Sequence, residues 1–294
     1  MISNLNRIEK GYTHGSVFHA DDVFATALLL RICPNIQIFR TVDKKFVASI
    51  LNDEDTIVYD IGEGEYDHHQ TGRATRPIED GYYIDKDGRM QPIPYCSFGL
   101  LWRDYGHLLC PNPKAWEKMD KELVIAIDKN DNGIDHNLLT CAISQFNPNW
   151  DGDCSEGQRM LKFMEAVELY GKVLDAFVAR INSEVKAEDA VLNSTVVDDG
   201  KILVLDQFMP WQDVVINKMP DVLYIVFPSP RGDWNVQTIP SAPGSFVGRK
   251  LFPKEWPGNP VKELGMNFCH VGNFLLAADT REQAINIAKI AVRA

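Results

Sequence analysis

The first half of the chain alternates between short apolar runs and segments with helical spacing of apolar residues. That spacing predicts a helix over residues 23–32 and a shorter helix over 46–51. Alternating apolar and polar side chains predict a strand at 36–40. The run at 56–59 predicts a short buried strand that ends on the carboxylate of Asp60. Strands that alternate with helices are typical of an α/β fold with a mainly parallel sheet.

A long polar stretch interrupts this pattern at residues 71–95. It is rich in glycine, proline and charged residues, which are typical of loops and turns. The Asp87-Gly88 pair predicts a hairpin within it. Because long loops in compact domains are often functional, we expect this stretch to form a mobile flap near a site.

Two more helices are predicted after the flap. The first covers 97–105, with Ser97 in a position to act as its N-cap. The second covers 116–127 and delivers Asp128 at its end. Its last residues, 123–127, also fit a strand, but the length of the whole segment favours the helix.

The second half of the chain begins with a long helical pattern and then becomes rich in strands. An apolar stripe along residues 156–192 indicates helix packing. Strands are predicted at 202–205, 222–227 and 234–239. The last helix is expected to begin after Thr280, because Thr280 and Gln283 have the spacing of a capping box.

These elements divide the chain into three parts. A chain of 294 residues is long enough for two domains. We expect an α/β domain with a mainly parallel sheet flanked by helices over residues 1–155. A linking helix follows over 156–193, and a smaller α+β domain over 194–294.

Charge and cysteine content narrow the function classes. The net charge of −11 excludes general attraction of a polyphosphate backbone, so a nucleic-acid substrate needs a local site. No apolar run is long enough to span a membrane, and residues 1–10 do not resemble a targeting signal. The six cysteines contain no C-x-x-C pair, which argues against a zinc ribbon. We therefore expect a cytoplasmic protein without a membrane partner.

Histidine and aspartate gather at the polar ends of three apolar runs. Val17-Phe18 precedes the first cluster, the run at 56–59 precedes the second, and the run at 123–127 precedes the third. A lone histidine pair is more often structural, but three such clusters favour a functional site, because strand ends line the crevice of an α/β sheet. The metal-capable side chains are His14, His19, Asp21, Asp22, Asp60, Asp67, His68, His69, Asp128 and Asp131.

This mixture of carboxylate and imidazole favours two divalent metal ions. Hard cations prefer oxygen ligands, and the imidazoles favour Mn²⁺, with Mg²⁺ or Co²⁺ as alternatives. Two such ions can activate a water molecule and stabilise the leaving oxygen of a phosphoryl group. The chain has no G-x-S-x-G elbow and no Walker loop, which argues against a serine hydrolase and a P-loop enzyme.

The spacing of these clusters resembles the motifs of the DHH phosphoesterase superfamily. The matching residues are His19-x-Asp21, Asp60 at a strand end, Asp67-His68-His69 and Asp128. More narrowly, Thr13-His14 before His19 and the stretch from Tyr66 to Gln70 are similar to the family named after melanocyte proliferating gene one. The second half is similar to that family at Pro210-Trp211, Trp234, Glu255-Trp256 and His270.

The resemblance implies a two-domain hydrolase of phosphodiester bonds with its metals in the N-terminal domain. It also implies 3′-to-5′ RNA exonuclease activity, which is ascribed to a eukaryotic member. By position, it implies metal ligands at His14, His19, Asp21, Asp60, His68 and Asp128. Asp60 would bridge the metals, His69 would face the substrate phosphate, and Asp67 would orient a histidine.

The chain departs from the family after Phe274. A glycine-glycine-histidine is common there, and this chain has Leu276-Ala277-Ala278 instead. His270, Arg249 and Arg231 are then the candidates for binding substrate from the C-terminal domain across a cleft. The two arginines fit solvated loop positions equally well.

The sequence allows two interpretations for each of two aspartates, Asp22 and Asp131. Asp22 fits the N-cap of the helix that follows it as well as a metal ligand. Asp131 fits a metal ligand and a turn residue beside Gly133 equally.

The function that best fits these features is a 3′–5′ exoribonuclease that acts on RNA ends or short oligonucleotides. A small-nucleotide phosphatase and an inorganic pyrophosphatase are alternatives, although residues 194–294 lack the basic side chains expected for pyrophosphate. A non-catalytic nucleotide-binding protein is an alternative of another class. The complete clusters argue against it. The partner is then a short RNA or nucleotide, and a homodimer is compatible with the sequence.

Overall fold

The computed structural model describes residues 5–245 and 247–294. The chain forms two compact units, residues 1–182 and 183–294. The boundary falls inside one long helix, α7 (Glu156–Leu192), which is the helix predicted over 156–192. The division into an N-terminal domain, a separate linking helix and a C-terminal domain stays a prediction.

The first unit contains a parallel sheet of three strands. They are β1 (Lys10–His14), β2 (Gln37–Thr41) and β3 (Thr56–Val58), in the order β2-β1-β3. Lys10 pairs with Gln37 on one side and with Thr56 on the other. All three strands therefore end at the same edge of the sheet.

The first cluster of histidine and aspartate follows strand β1. The apolar run Val17-Phe18, which precedes that cluster in the sequence, does not form a strand. That run lies in the loop after β1. Gly15 still donates to the carbonyl of Thr41, but Ser16 adopts a left-handed backbone with φ 71°, which ends the extended chain.

Helices surround the sheet, and a hairpin occupies the flap. The helices that precede α7 are α1 (Ala20–Ile32), α2 (Lys44–Ile50), α3 (Ser97–Tyr105), α4 (Pro113–Met119), α5 (Ile125–Asp131) and α6 (Leu138–Ser144). The hairpin pairs β4 (Tyr82–Ile84) with β5 (Met90–Pro92), as the Asp87-Gly88 turn predicts.

The predicted helix over 116–127 is confirmed but continues further. A π-helical turn, Asp120–Val124, joins α4 to α5, so the strand alternative for 123–127 is wrong. The helix runs on to Asp131, which places Asp128 inside α5 and not at a helix end.

Two predicted N-caps are also wrong. Cys96 caps α3, and Ser97 is the first residue inside that helix. His19 caps α1, while Asp22 lies in its first turn and accepts a hydrogen bond from the backbone N–H of His19 at 2.9 Å. Asp22 thus stabilises the helix start from the third position, as the acidic member of a capping box does.

The second unit is a mixed six-stranded sheet with helices. Its elements are β6 (Thr195–Val197), β7 (Ile202–Val204), α8 (Gln212–Lys218), β8 (Tyr224–Pro228), β9 (Trp234–Thr238), β10 (Met266–Cys269), β11 (Leu275–Ala278) and α9 (Arg281–Arg293). The strand order is β10-β11-β9-β8-β7-β6, and only β7 and β8 pair in parallel.

The sequence predicts four of these eight elements, β7, β8, β9 and α9. It does not predict β6, α8, β10 and β11. Thr280 caps α9 by accepting a hydrogen bond from the N–H of Gln283. One face of the sheet packs on α9 through buried Ala284, Ile287 and Ala291. The protein is therefore α/β with a parallel sheet in its first unit, while the DHH-type architecture stays a prediction. Within residues 5–245 and 247–294, no helix combines the length and apolarity that a membrane span requires.

Candidate metal centre

The carboxyl edge of the parallel sheet carries the first residues of the site. His14 is the last residue of β1, and Asp60 follows β3 after one residue. Asp21 and His19 lie at the start of α1, so the loop after β1 brings them back to the same edge. Because the three parallel strands end at the same edge of the sheet, residues that are far apart in sequence meet here.

Three groups of side chains in the described part of the chain could each hold a metal ion, and one residue belongs to two of them. In each group the ligand atoms lie within 4.8 Å of one another. The groups are His14 with Asp22 and Asp60, Asp60 with His68 and His69, and His19 with Asp21 and Asp131. Asp60 therefore occupies the shared position that a bridging carboxylate requires.

The distances within the groups and between them are short. His14 Nε2 lies 3.1 Å from Asp60 Oδ2 and 3.2 Å from Asp22 Oδ2. His68 Nε2 lies 3.1 Å from Asp60 Oδ1 and 3.2 Å from Asp131 Oδ2. His68 also lies 3.7 Å from Asp21 Oδ2, which links the second group to the third.

Asp60 is held in an unusual backbone conformation. Its φ is 58°, in the left-handed region that a residue with a side chain rarely adopts. Its side chain is buried, and Ser97 donates a hydrogen bond to its Oδ1 at 3.0 Å. Such local strain is most often found at functional sites.

Burial and neighbouring charges change the pKa values of the site strongly. Burial raises the pKa of Asp21 well above its ordinary value, and the carboxylates of Asp60 and Asp131 raise it further. Burial opposes ionisation of Asp60 too, but the imidazoles of His14 and His68 hold its pKa below the ordinary value. Burial lowers the pKa of His14, yet Asp22 and Asp60 together raise it to about 10.

The buried oxygens of these carboxylates fit a metal ion. Among the described residues, none makes a hydrogen bond of acceptable geometry to either oxygen of Asp21 or to the Oδ2 atoms of Asp22, Asp60 and Asp131. Imidazole nitrogens lie 3.1–3.2 Å from the last three oxygens, but they are not aligned to donate to them. Buried polar atoms almost always have a partner, so a group of exceptions requires an explanation. A divalent cation would satisfy these oxygens, and the mixed oxygen and imidazole donors suit Mn²⁺ or a similar ion.

His69, a member of the second group, also pairs with Asp67, and both residues line the cavity described below. The Nδ1 of His69 lies 2.8 Å from Asp67 Oδ1, and the side chain of His69 is 60% exposed. The N–H of Glu63 fixes the other oxygen of Asp67 at 2.7 Å. The hydrogen bond to Asp67 raises the pKa of His69, and burial opposes this rise.

Asp128 is a member of none of the three groups. It is fully buried, and Arg76 Nε donates to its Oδ2 at 2.6 Å. The N–H of Cys96 donates to its Oδ1 at 2.9 Å. The same guanidinium binds Asp120 through NH1 at 2.5 Å. The structure thus brings Asp131 to the histidines and gives Asp128 a partner elsewhere, so Asp128 as a metal ligand stays a prediction without geometric support.

The candidates for substrate binding in the second unit have different surroundings. The guanidinium of Arg249 donates to four backbone carbonyls at the end of α8 and just beyond it, at 2.7–3.3 Å. His270 Nδ1 accepts from the N–H of Gly272 at 2.9 Å, and Arg231 is exposed on a turn. These contacts give Arg249 a structural task, and the role of all three residues in substrate binding stays a prediction.

A cavity of about 650 Å³ opens onto the site in the first unit. His14, His19, Asp60 and His69 line it together with Lys44, a cation outside the sequence clusters of histidine and aspartate. Lys44 follows the helix cap Asp43, and no motif marks it. Ser97 was also missed as a site residue, because a polar residue before an apolar helix has the same pattern as a cap.

Comparisons with known proteins extend over nearly the whole chain. The family model described as an uncharacterised protein family (UPF0160) matches residues 11–292. The MYG1 protein YER156C of Saccharomyces cerevisiae is 28% identical over 95% of this chain and 94% of that protein. A MYG1 exonuclease of Rattus norvegicus is 28% identical over 94% of this chain and 83% of that protein. The MYG1 exonuclease of Homo sapiens is 26% identical over 94% of this chain and 84% of that protein. No solved structure matches the chain significantly.

Proposed function

Because the chain belongs to the MYG1 family (UPF0160), whose similar members include proteins named exonucleases, we propose that it is a metal-dependent nuclease. Specifically, we propose a 3′–5′ exoribonuclease that acts on RNA ends or short oligonucleotides. The relatives' names support a nuclease-type hydrolase. The direction of cleavage, the RNA substrate and the DHH superfamily assignment are parts of the proposal.

One observation carries the proposal. Carboxylates and imidazoles from three parts of the first unit meet around Asp60, and several of their buried oxygens make no hydrogen bond of acceptable geometry among the described residues. In this proposal His14, His19, Asp21, Asp60, His68 and Asp131 hold two divalent ions, Mn²⁺ in preference to Mg²⁺ or Co²⁺, with Asp22 beside them. Two bound ions supply an activated water nucleophile and stabilise the leaving oxygen.

The protein's own residues fix this chemistry in place. Ser97 holds one oxygen of Asp60, which leaves the other oxygen directed towards His14. Asp67 holds Nδ1 of His69, so Nε2 of that ring is free to donate a hydrogen bond to a substrate phosphate oxygen. His69 would then orient the scissile phosphate, with Asp67 fixing its tautomer.

We also propose a cytoplasmic location for the enzyme. All six cysteines are free, which agrees with a reducing cytoplasm. Binding of substrate by His270, Arg249 or Arg231, and assembly into a homodimer, remain parts of the proposal that need separate tests.

A panel of substrates tests the proposed function. The panel contains a short RNA, the same RNA with both ends blocked, a dinucleotide, a nucleoside bisphosphate and pyrophosphate, each with added Mn²⁺. We expect single nucleotides to be released from the free-ended RNA only. Equal cleavage of the blocked RNA would show an endonuclease. Preference for pyrophosphate or the bisphosphate would support the alternative phosphatases, and no hydrolysis at all would support the non-catalytic alternative.

A further inference from the structure

A second cavity lies directly beside the cavity of the metal site. It has a volume of about 290 Å³ and belongs entirely to the first unit. Gly15, Thr41 and Val42 line both cavities, so the two are neighbours across the ends of β1 and β2. We call it the arginine cavity, because Arg40 and Arg159 line it.

Arg40 is fixed in the wall of the arginine cavity. Its guanidinium carbon lies 4.5 Å from the ring centre of Phe163 and 5.4 Å from that of Phe18. These cation–π contacts hold the side chain, which is only 5% exposed. Its NH2 donates to the carbonyl of Ser16 at 3.2 Å. Asp22, the nearest carboxylate among its described contacts, is 3.9 Å away, too far for a hydrogen bond.

Arg159 brings a second positive charge to the same cavity. It lies in the first turn of α7, and its Nε donates to the carbonyl of Cys154 at 3.0 Å. Within residues 5–245 and 247–294, no ion pair involves it. Burial lowers the pKa of Arg40, the carboxylates of Asp22 and Asp60 oppose this change, and the charge of Arg159 adds to it. The Nε of Arg40 is buried without a hydrogen-bond partner among the described residues. A cavity lined by two guanidinium groups, one of them with an unused donor, is suited to an anion.

We propose that the arginine cavity binds the phosphate group that adjoins the scissile phosphate in a single-stranded chain. This inference rests on the proposed function and adds a second anchoring point for its substrate. Arg40 lies 3.9 Å from Asp22, a member of the metal-capable groups, so a chain that enters one cavity has its next phosphate within reach of the other. Planar guanidinium groups bind phosphate oxygens in pairs, which fixes the register of the chain.

Glu156 also lines the arginine cavity and gives the proposal a sharper test. Its carboxylate would repel a bound phosphate. The proposal therefore predicts opposite effects for two substitutions in one short segment. Arg159→Gln should weaken phosphate binding, and Glu156→Gln should strengthen it.

Calorimetric titration of the full chain with inorganic phosphate, after chelation of metals, tests the binding directly. We expect Arg159→Gln to weaken the affinity at least tenfold and Arg40→Lys to weaken it while keeping the charge. Arg7→Gln is the control, because it removes the same charge from an exposed arginine that pairs with Glu54. Equal affinities for Arg159→Gln and Arg7→Gln would overturn the proposal.

Kinetics of the Mn²⁺-loaded protein separate this inference from the proposed function. A trinucleotide has two phosphates and a dinucleotide has one, so the wild-type ratio of their kcat/KM values measures the second contact. We expect Arg159→Gln to reduce this ratio about tenfold and Arg7→Gln to preserve it. If neither substrate is hydrolysed but Arg159→Gln still weakens the binding of inorganic phosphate, the proposed function is wrong and the arginine cavity stands as a phosphate-binding site alone. If hydrolysis occurs with an unchanged ratio, the arginine cavity is wrong and the proposed function stands.

Discussion

Asp60 combines a left-handed backbone, a buried carboxylate and a position shared by two groups of metal-capable side chains. The backbone conformation is costly for a residue with a Cβ atom, by about 1–3 kcal/mol. The neighbouring Asp21 has a raised pKa because burial and nearby carboxylates disfavour its charge. The left-handed backbone of Asp60 and the buried carboxylate of Asp21 therefore reduce the stability of the metal-free protein.

We expect Asp60→Asn to abolish activity without loss of the fold. The amide keeps the shape of the side chain but removes the negative charge that two metals would share. The rate should fall by roughly 10³-fold or more, as it does when a principal electrostatic group is removed. The melting temperature of the metal-free protein should fall modestly, because the imidazoles of His14 and His68 lose the carboxylate that they hold in its charged form. Wild-type turnover of this variant at saturating Mn²⁺ would contradict the bridging role.

The pair of His69 and Asp67 gives a pH-dependent prediction. In the metal-free protein, His69 should titrate above its ordinary pKa of 6.5, and Asp67→Asn should lower that pKa because the imidazolium loses its anionic partner. The pair stabilises the fold below about pH 6.5, and this contribution disappears as the pH rises through the folded pKa of His69. It also disappears in acid, because the pKa of Asp67 is lowered in the fold. NMR titration of the His69 ring measures the shift, and an unchanged pKa in Asp67→Asn would reject the pairing.

At the scale of elements, a buried guanidinium joins the flap to two helices. Arg76 extends from the stretch before the hairpin and contacts Asp128 of α5 and Asp120 of the π-helical turn. The helices approach closely here, since a Cβ atom on Gly99 of α3 would lie 2.2 Å from Asp128 Oδ1. This contact fixes α3 and α5, the helices that carry Ser97 and Asp131 into the site.

Two matched substitutions in α5 should therefore have different effects. Asp128→Asn leaves the buried Arg76 with one anionic partner and should reduce the free energy of unfolding by about 3 kcal/mol. Asp131→Asn should change stability little and should weaken Mn²⁺ binding. Chemical denaturation and calorimetric metal titration of both variants distinguish these roles. If Asp128→Asn weakens metal binding while keeping full stability, Asp128 is a ligand after all.

The same region shows how far the sequence predicts the site. His14, Asp60 and His68 could be found because they stand next to strands or in a conspicuous histidine pair. Asp128 and Asp131 are aspartates of one helix, and the sequence does not show which of them belongs to the metal-capable groups. The structure distinguishes them because Arg76 binds Asp128. That partner, Arg76, is 52 residues from Asp128 in sequence and lies in a stretch with a loop composition. The sequence predicts N-caps at Asp22 and Ser97, but these side chains contact His14 and Asp60 instead. Such contacts between distant residues cannot be predicted from local sequence patterns.

At the scale of the whole molecule, charge limits the substrates that the protein attracts. The net charge is −11, and the cations near the site are a few separate side chains, Lys44, Arg40 and Arg159 among them. Long nucleic acids need an extended basic groove, which a chain of this composition does not favour. Short single strands that bind through a few phosphates fit it better.

The salt dependence of kcat/KM measures how many substrate phosphates the protein binds. With about 1–3 phosphates neutralised at roughly 0.7 each for a single strand, the slope of log kcat/KM against log salt concentration should lie between about −0.7 and −2. Steady-state kinetics on a short RNA over a range of potassium chloride concentrations gives the slope. A slope several-fold steeper would show an extended phosphate-binding surface and would contradict the expectation of short substrates.

As proposed metal ligands, the carboxylates around Asp60 would connect the amount of this protein in a cell to the supply of divalent ions. A ligand that binds only the folded state, at a hundred times its dissociation constant, adds about 2.7 kcal/mol to stability. Quality control degrades chains that unfold, and a change of about 1–2 kcal/mol alters abundance several-fold. Metal starvation would therefore shorten the lifetime of the polypeptide as well as stop its catalysis, and recovery would require new synthesis in addition to fresh metal.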